Sequence, residues 1–418
     1  MKPTGRDVDP QDRVFGQRVQ KLRKEQGRTQ AEFAAALGKT SSWMSQVERG
    51  IQPVQRMDLL QQIADGLGVS VQQLRPDAEG SGPAQHPAPL SLSNDLDETR
   101  RLISGHPALH ILLADSGPGP EVSRSIEALR KDVNDLWELT HAAQMAQVSA
   151  LAVELLPELE RAVRAEPNKA QPELFLLLSR AYQALSAAFV RQDEADAAWV
   201  AADRAIFAAE RSGDPLHVCA GVFRMTHAFV RLRSLGQAEH AAQIAIDALK
   251  AQSDRPPQAL SVLGALHLAL ALVHARAGAR TEAKEEIAEA RLIAAELGEN
   301  RNDFNLEFGP VNVEIQAVSI AVDLGDAGEA LDIGLALDAE GLSPERQGRL
   351  LMDLGRAHAQ RRHGGEALDC LLRAEALAPE TIQTHQAARA AIRELVLVAG
   401  ANASHALLEL ADRADALD

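Results

Sequence analysis

Cysteine is nearly absent from this sequence: 418 residues hold two, Cys219 and Cys370. They lie far apart in apolar helical patterns with no CxxC partner, which argues for plain packing over redox or metal chemistry. Long apolar runs are also scarce. The longest, ALSVLGALHLALALV at 259–273, is interrupted by Ser261 and His267 and falls short of the ~20 residues that a spanning helix requires. The N-terminus, MKPTGRDVDP, has no apolar stretch of the kind that opens a secretory leader. The expectation is a soluble, cytoplasmic protein with no membrane association. Catalytic wording is missing as well: there is no phosphate-binding glycine loop, no HExxH and no nucleophile elbow. The histidines fall singly on helical patterns, and His267 and His274, which share a face, occupy slots that pack between helices. The reading is therefore no enzyme, no metal and no cofactor. Alternating strand patterns are absent too, which leaves an all-α chain.

Positive charge is in deficit, with Lys+Arg 43 against Asp+Glu 59 and a net charge of −16. Taken alone this disfavours nucleic acid, because phosphates repel an acidic surface. The deficit is not uniform. Residues 1–75 carry 12 Lys+Arg against 8 Asp+Glu, and the rest carry 31 against 51. A basic module on an acidic body is the pattern of a binding head joined to a second domain.

Residues 76–90, PDAEGSGPAQHPAPL, offer no large apolar side chains for a core and read as a linker. Short helical patterns at 94–103 and 107–114 follow, and DSGPGPEV breaks the chain again with Pro118 and Pro120. The division expected is 1–75 as one domain, 76–120 as a linker with short helices, and 121–418 as a second domain of long Ala/Leu-rich helices. Those helices repeat. Residues 351–379, LMDLGRAHAQRRHGGEALDCLLRAEALAP, place Leu354-Gly355 and His358 on one helix and Ala367, Leu371 and Ala374 on the next, before Pro379. This resembles a tetratricopeptide repeat. Small residues at Gly355, Ala367 and Ala374 would let two antiparallel helices approach closely. Weaker copies run through Leu270-Ala271, His274, Ala283, Ile287 and Ala290, and through Met225-Thr226, Phe229, Ala238, Ala242 and Ala245. Further copies run through Leu178-Ser179, Tyr182, Ala198 and Ala205, and through Ala317-Val318, Ala330 and Leu337. The spacing is uneven, so an α-solenoid of tetratricopeptide-like hairpins and an irregular bundle with the same small-residue packing both stay open.

The first domain reads as five short helices, at about 12–25, 30–37, 41–49, 56–66 and 70–74. Phe15, Val19, Leu22, Phe33, Ala34, Leu37, Met44, Val47, Leu59, Leu60, Ile63, Leu67 and Leu74 form its core. TQAEFAAALG, a tight turn and TSSWMSQVERG, followed by MDLLQQIADGL and GVSVQQL, resemble the phage-repressor-like (XRE/Cro) helix-turn-helix family over residues 12–75. With Met44 and Val47 facing inward, Ser41, Ser42, Trp43 and Gln46 project from the third helix. The resemblance puts that half of the helix in the DNA major groove, where Gln pairs with adenine and Ser with several base edges. Trp43 either touches a thymine methyl or sugar or packs over the following loop. Thr40 suits an N-cap. Gln30 resembles the family's phosphate-contacting glutamine at a helix N-terminus, and Arg18, Lys21, Arg28, Lys39 and Arg49 supply backbone-directed charge. Glu48 is read as tying the domain together through an arginine, since a carboxylate facing phosphates is costly.

A repressor-like head followed by helical repeats resembles bacterial regulators whose repeat domain binds a peptide or another effector. The function implied is a transcriptional regulator that binds operator DNA as a homodimer, modulated by a peptide or an anionic small molecule. A repeat scaffold acting through a partner protein is the alternative. The repeat register puts Arg180, Gln183, His227, Arg231, Arg276, Asn312, Ser319, Arg349 and Arg356 on the concave surface. Their arginines either meet an anionic ligand or pair with acidic neighbours within the repeats.

Overall fold

The computed structural model describes residues 10–37, 41–49, 96–105, 124–164, 170–338, 344–379 and 385–414. Single positions at 54, 60, 63, 64, 66, 67, 69, 74, 382, 416 and 417 are described as well. The chain is all-α: no strand occurs among the described residues, and an isolated antiparallel bridge joins Arg301 and Phe308. It divides into two compact units, 1–90 and 91–418.

In the first unit, α1 (Pro10–Glu25), α2 (Gln30–Ala36) and α3 (Ser41–Glu48) surround Phe15, Val19, Phe33, Ala34, Met44 and Val47, all buried. Thr29 and Glu32 start α2 with a reciprocal capping box: Glu32 N–H donates to Thr29 Oγ1 at 3.2 Å, and Thr29 N–H donates to the Glu32 carboxylate at 2.8 Å. Helices α1 and α3 cross in close contact at Gly16, where a Cβ would lie 2.3 Å from the Val47 carbonyl oxygen. The predicted fourth and fifth helices lie largely outside the described residues, as does Leu59. Leu60, Ile63, Ala64, Leu67 and Leu74 are helical and buried in the same core.

The second unit opens with α4 (Asp97–Ser104), at the short helical pattern that the sequence places at 94–103 within the 76–120 linker stretch. It is built into this unit instead: Leu96 and Ile103 are buried in the main core, Thr99 Oγ1 bonds Ser149 Oγ at 3.0 Å, and Arg100 pairs with Glu194 and Asp196, each at 2.6 Å. Helical hairpins follow: α5/α6 (Ile126–His141, Met145–Ala162), α7/α8 (Gln171–Arg191, Ala195–Ser212) and α9/α10 (Pro215–Arg231, Leu235–Lys250). After them come α11/α12 (Pro257–Ala277, Arg280–Leu297), α13/α14 (Pro310–Asp323, Ala327–Leu335), α15/α16 (Pro344–Gln360, Gly364–Leu377) and α17/α18 (Gln386–Ala399, His405–Arg413).

One turn joins the two helices in each hairpin from α5/α6 to α15/α16. Ala143, Asp193, Arg233, Gly278, Gly325 and Arg362 each adopt a left-handed conformation, φ between 54° and 81°, two residues before the second helix begins. The next N–H then reaches back five residues to a carbonyl, as in Glu194 to Phe189 and Ser234 to Phe229, both at 2.9 Å. This is a Schellman closure, and it marks a repeat register that side-chain pattern alone shows only weakly.

Successive first helices, α5, α7, α9, α11, α13, α15 and α17, pack side by side, whereas second helices chiefly touch their own partner and the next first helix. The second helices fan outward and the first helices line the inner surface, as a solenoid requires. Small residues make the approach possible. A Cβ on Gly355 would lie 2.9 Å from Leu371, and Ala198, Ala205, Ala238, Ala242, Ala283, Ala290, Ala330, Ala367 and Ala374 are fully buried. Helix α11 has 21 residues and, like α7, is long and apolar enough to cross a bilayer. The expectation that its apolar run is too short thus fails on length. Its apolar surface is covered by its neighbours, with 83% of its most apolar stretch buried.

Between α12 and α13 a loop, 298–309, turns back into the inner surface. Phe308 is buried with its ring where a Cβ on Gly264 would fall, 2.0 Å from Cζ. Ser261 donates to Asp303 at 2.7 Å, and Arg224 donates to the Asn305 carbonyl at 2.7 Å.

Arg233 and Arg362 are exposed residues held at φ 59° and 61°, a conformation that a Cβ disfavours and glycine accepts freely. Arg233→Gly and Arg362→Gly are each expected to raise stability by about 0.5–1 kcal/mol, visible as a higher urea midpoint at unchanged slope. A lower midpoint would contradict the assigned turn.

Candidate DNA-binding face and ligand groove

In the head, α3 is fixed by a buried ion pair. Glu48 is 3% exposed and accepts from Arg23 Nε at 2.5 Å and Nη2 at 3.0 Å, from Gln30 Nε2 at 2.8 Å and from Gln20 Nε2 at 3.3 Å. Arg23 also donates through Nη1 to the Arg28 carbonyl at 2.5 Å. Burial pushes the Glu48 carboxyl up, and the bonds from Arg23 and Gln30 outweigh it, leaving it below its ordinary value. One carboxylate thereby ties α3 to α1 and α2, the tying role read from the sequence.

Gln30, expected at a phosphate, bonds Glu48 within the head. Its amide N–H is engaged inside the head, because a buried carboxylate is a stronger acceptor than water-exposed positions nearby offer. Three expected phosphate-directed arginines also bond their own head: Arg18 donates to the Leu74 carbonyl at 2.9 Å, Arg28 to Gly66 at 3.1 Å and Arg49 to Ser45 at 3.2 Å. Each spends one N–H this way and keeps its charge. Lys39 and Thr40 lie outside the described residues, as do the side chains of Ser41, Ser42, Trp43 and Gln46. The backbone of 41–46 is helical. Met44, Val47 and Glu48 of this helix are buried.

In the second unit, charged side chains from four first helices meet along the inner surface. Asp323 on α13 pairs with Arg276 of α11 at 3.0 Å and Arg356 of α15 at 2.6 Å. Asp353 on α15 pairs with Arg356 at 2.7 Å and Arg349 at 3.2 Å, and Arg349 donates on to Ser319 at 3.5 Å. Arg231 of α9 lies 3.5 Å from Asp193. His227 packs edge-on against Phe223, with centroids 4.6 Å apart. Burial and the guanidinium groups of Arg224, Arg231 and Arg349 push it down to about 3, so it is neutral at physiological pH.

Arg231, His227, Arg276, Ser319, Arg349 and Arg356 thus form one neighbourhood, and their arginines both line the groove and pair with acids. Arg180, Gln183 and Asn312, also expected in the groove, bond partners outside this neighbourhood. Arg180 donates to Asn134 at 2.8 Å, and Gln183, 2% exposed, is satisfied by Ser179 and the His217 carbonyl. Asn312 accepts from Arg346, which also clasps Glu307 of the loop. The sequence reading missed Asp193, Asp323, Asp353 and Glu307. Arg349, Asp353 and Arg356, at helical spacings of four and three, were a legible signal; the pairs between hairpins were not. Cys219 and Cys370 are buried free thiols, and His267 is a core residue bonded to Glu286 at 2.5 Å. Among the described residues no cluster of His, Cys, Asp or Glu could hold a metal ion.

Residues 14–77 match the family described as a helix-turn-helix domain. The chain thus carries an N-terminal helix-turn-helix domain and a C-terminal unit of helical hairpins. No curated protein matches it. Solved structures that align with the chain include the following two. A Rap protein complexed with competence and sporulation factor gives a TM-score of 0.43 at 15% identity, over 70% of this chain and 89% of that one. PlcR of Bacillus thuringiensis, in complex with the peptide PapR7 and DNA, gives 0.31 at 14%, over 88% and 99%.

Glu48→Gln leaves the Arg23 charge buried without a counter-ion and is expected to cost about 3 kcal/mol, read as a lower melting temperature of the head. His227 gives a pH test. Below pH 6.5 the unfolded chain binds a proton that the folded chain refuses until about pH 3. Proton uptake therefore favours unfolding, and stability falls as pH is lowered through that window, by up to about 1.4 kcal/mol per pH unit for this group. His227→Gln should flatten the acid limb of urea-midpoint against pH; an unchanged limb would show that the imidazole is protonated normally.

Proposed function

We propose that this chain is a sequence-reading DNA-binding regulator, not an enzyme, acting in the cytoplasm as a homodimer on operator DNA. Its domains are a head at 1–75, a connecting stretch, and a repeat domain that takes a peptide or anionic small-molecule effector and modulates operator binding. The observation that carries the reading is the head. Its family match covers residues 14–77, and the buried Arg23–Glu48 pair ties α3 to α1. A rigid helix presenting Ser and Gln is suited to reading base edges in a major groove.

Other features support the remaining parts. One head covers a single half-site, so specific binding needs two copies. The last hairpin, where a solenoid ordinarily caps itself with polar residues, leaves Leu397 75%, Val398 58% and Leu408 42% exposed, a surface suited to a second copy of the chain. The groove arginines suit an anionic effector.

The test begins with an operator selected by the protein from a pool of random duplexes. Gln46→Ala is expected to cost about 1–3 kcal/mol at one base position, whereas Lys39→Ala should weaken all duplexes alike and lower the salt slope by about one. Fluorescence anisotropy across a salt series measures both. Equal losses on operator and random DNA for Gln46→Ala would exclude base reading, and a monomer by light scattering on operator DNA would exclude the dimer.

A further inference from the structure

The last hairpin reaches back across the inner surface. At the start of α17, Gln386 donates through Nε2 to Asp193 Oδ2 at 2.5 Å, a bond between residues 193 apart in the chain. Asp193 sits in the left-handed turn between α7 and α8, and its other oxygen, Oδ1, is the one that faces Arg231. A single carboxylate therefore links the terminal hairpin to a groove arginine.

His385, the N-cap of α17, is 8% exposed, and its Nδ1 has no hydrogen-bond partner among the described residues. Buried polar atoms without partners are rare and costly. Arg349, Arg231, Arg356 and Arg276 all act on this imidazole and, with its burial, keep it neutral. A neutral imidazole still carries one N–H donor. Among the described residues the charge around it does not balance: four guanidinium groups face three carboxylates, Asp193, Asp323 and Asp353, each already shared between two partners. Among the described residues, one uncompensated positive charge and one unmet imidazole nitrogen therefore lie in the same neighbourhood.

We propose that this place is an oxyanion-binding site, with His385 as a direct contact, and that the Gln386–Asp193 bond is a latch that the ligand must compete with. A carboxylate or phosphate group accepts from Arg349 and Arg231 in the bidentate manner of guanidinium and from the His385 N–H. By drawing Arg231 away from Asp193 it loosens the carboxylate that holds Gln386, so occupancy and the position of the terminal hairpin are linked. The inference deepens the effector reading and rests on it for biological use; anion binding itself requires no DNA.

The experiment follows the His385 imidazole signal by NMR in the full-length protein, assigned by its loss in His385→Asn. Three probes are titrated to tens of millimolar: inorganic phosphate, an acetylated Ala-Ala dipeptide with a free carboxylate, and the same dipeptide amidated. A saturable shift is expected with phosphate, with the free dipeptide, or with both, and none with the amide; whichever anion acts identifies the source of the group. Arg349→Gln should weaken binding about tenfold, Arg349→Lys less, and Arg130→Gln, whose partner Glu173 is on the exposed surface, not at all. Gln386→Ala should tighten binding severalfold, because the latch no longer competes. Absence of any saturable shift with either anion, or equal binding by Arg349→Gln and the parent, overturns the site. Weaker binding by Gln386→Ala overturns the latch. Operator binding by the same preparations reports separately on the regulator reading.

Discussion

Where a Cβ on Gly355 would meet Leu371 at 2.9 Å, and one on Gly264 would fall inside the Phe308 ring, the inner helices have no room for anything larger than the residues they carry. This close approach is the constraint on which the C-terminal unit depends. Helices that lie this near one another bury alanine on nearly every shared face, and a surface built from alanine leaves long polar side chains to reach past it. The arginines of α9, α11 and α15 do so. They meet because the helices bearing them are adjacent in space, although 125 residues separate Arg231 from Arg356 in the chain.

Close packing also explains why charge gathers on the inner surface of a unit whose net charge is strongly negative. An arginine lying along a wall of alanine keeps its aliphatic stem on apolar surface and its head among other heads. Partly removed from water, each guanidinium needs a counter-ion or a strong acceptor. Asp323 and Asp353 each serve two, and Asp353 is fully buried. Among the described residues, sharing acids in this way sets four guanidinium groups against three carboxylates. The head solves a related problem differently. There one carboxylate, Glu48, gathers Arg23, Gln20 and Gln30, a closed arrangement that holds a helix still and has no need of a ligand.

The loop at 298–309 shows what the inner surface accepts from the chain itself. Phe304, Asn305 and Glu307 all adopt left-handed backbone conformations without being glycine, and such strain persists only where surrounding structure enforces it. Here Phe308 in its slot against Gly264 and the Glu307–Arg346 pair provide the enforcement.

Local pattern was enough for much of this. Periodicity near 3.6 marked the helices, the inward face of α3 followed from Met44 and Val47, and Gly355, Ala367 and Ala374 were legible as points of close approach because small size is a property of the residue itself. The pairing of Glu48 with an arginine was legible too, since a carboxylate in a core-facing register has few alternatives. Other features were decided by tertiary structure alone. Gln30 bonds Glu48, and α4, preceded by proline-rich text, packs on the repeats. Arg180 falls outside the arginine neighbourhood, while His385 and Gln386 fall within reach of helices far earlier in the chain. In each of these a side chain meets a partner set by how hairpins stack, and a shift of one position along a helix turns a residue by about 100°. Residue type and spacing along the chain determine which surfaces a helix has; only the packed solenoid determines which of those surfaces face one another.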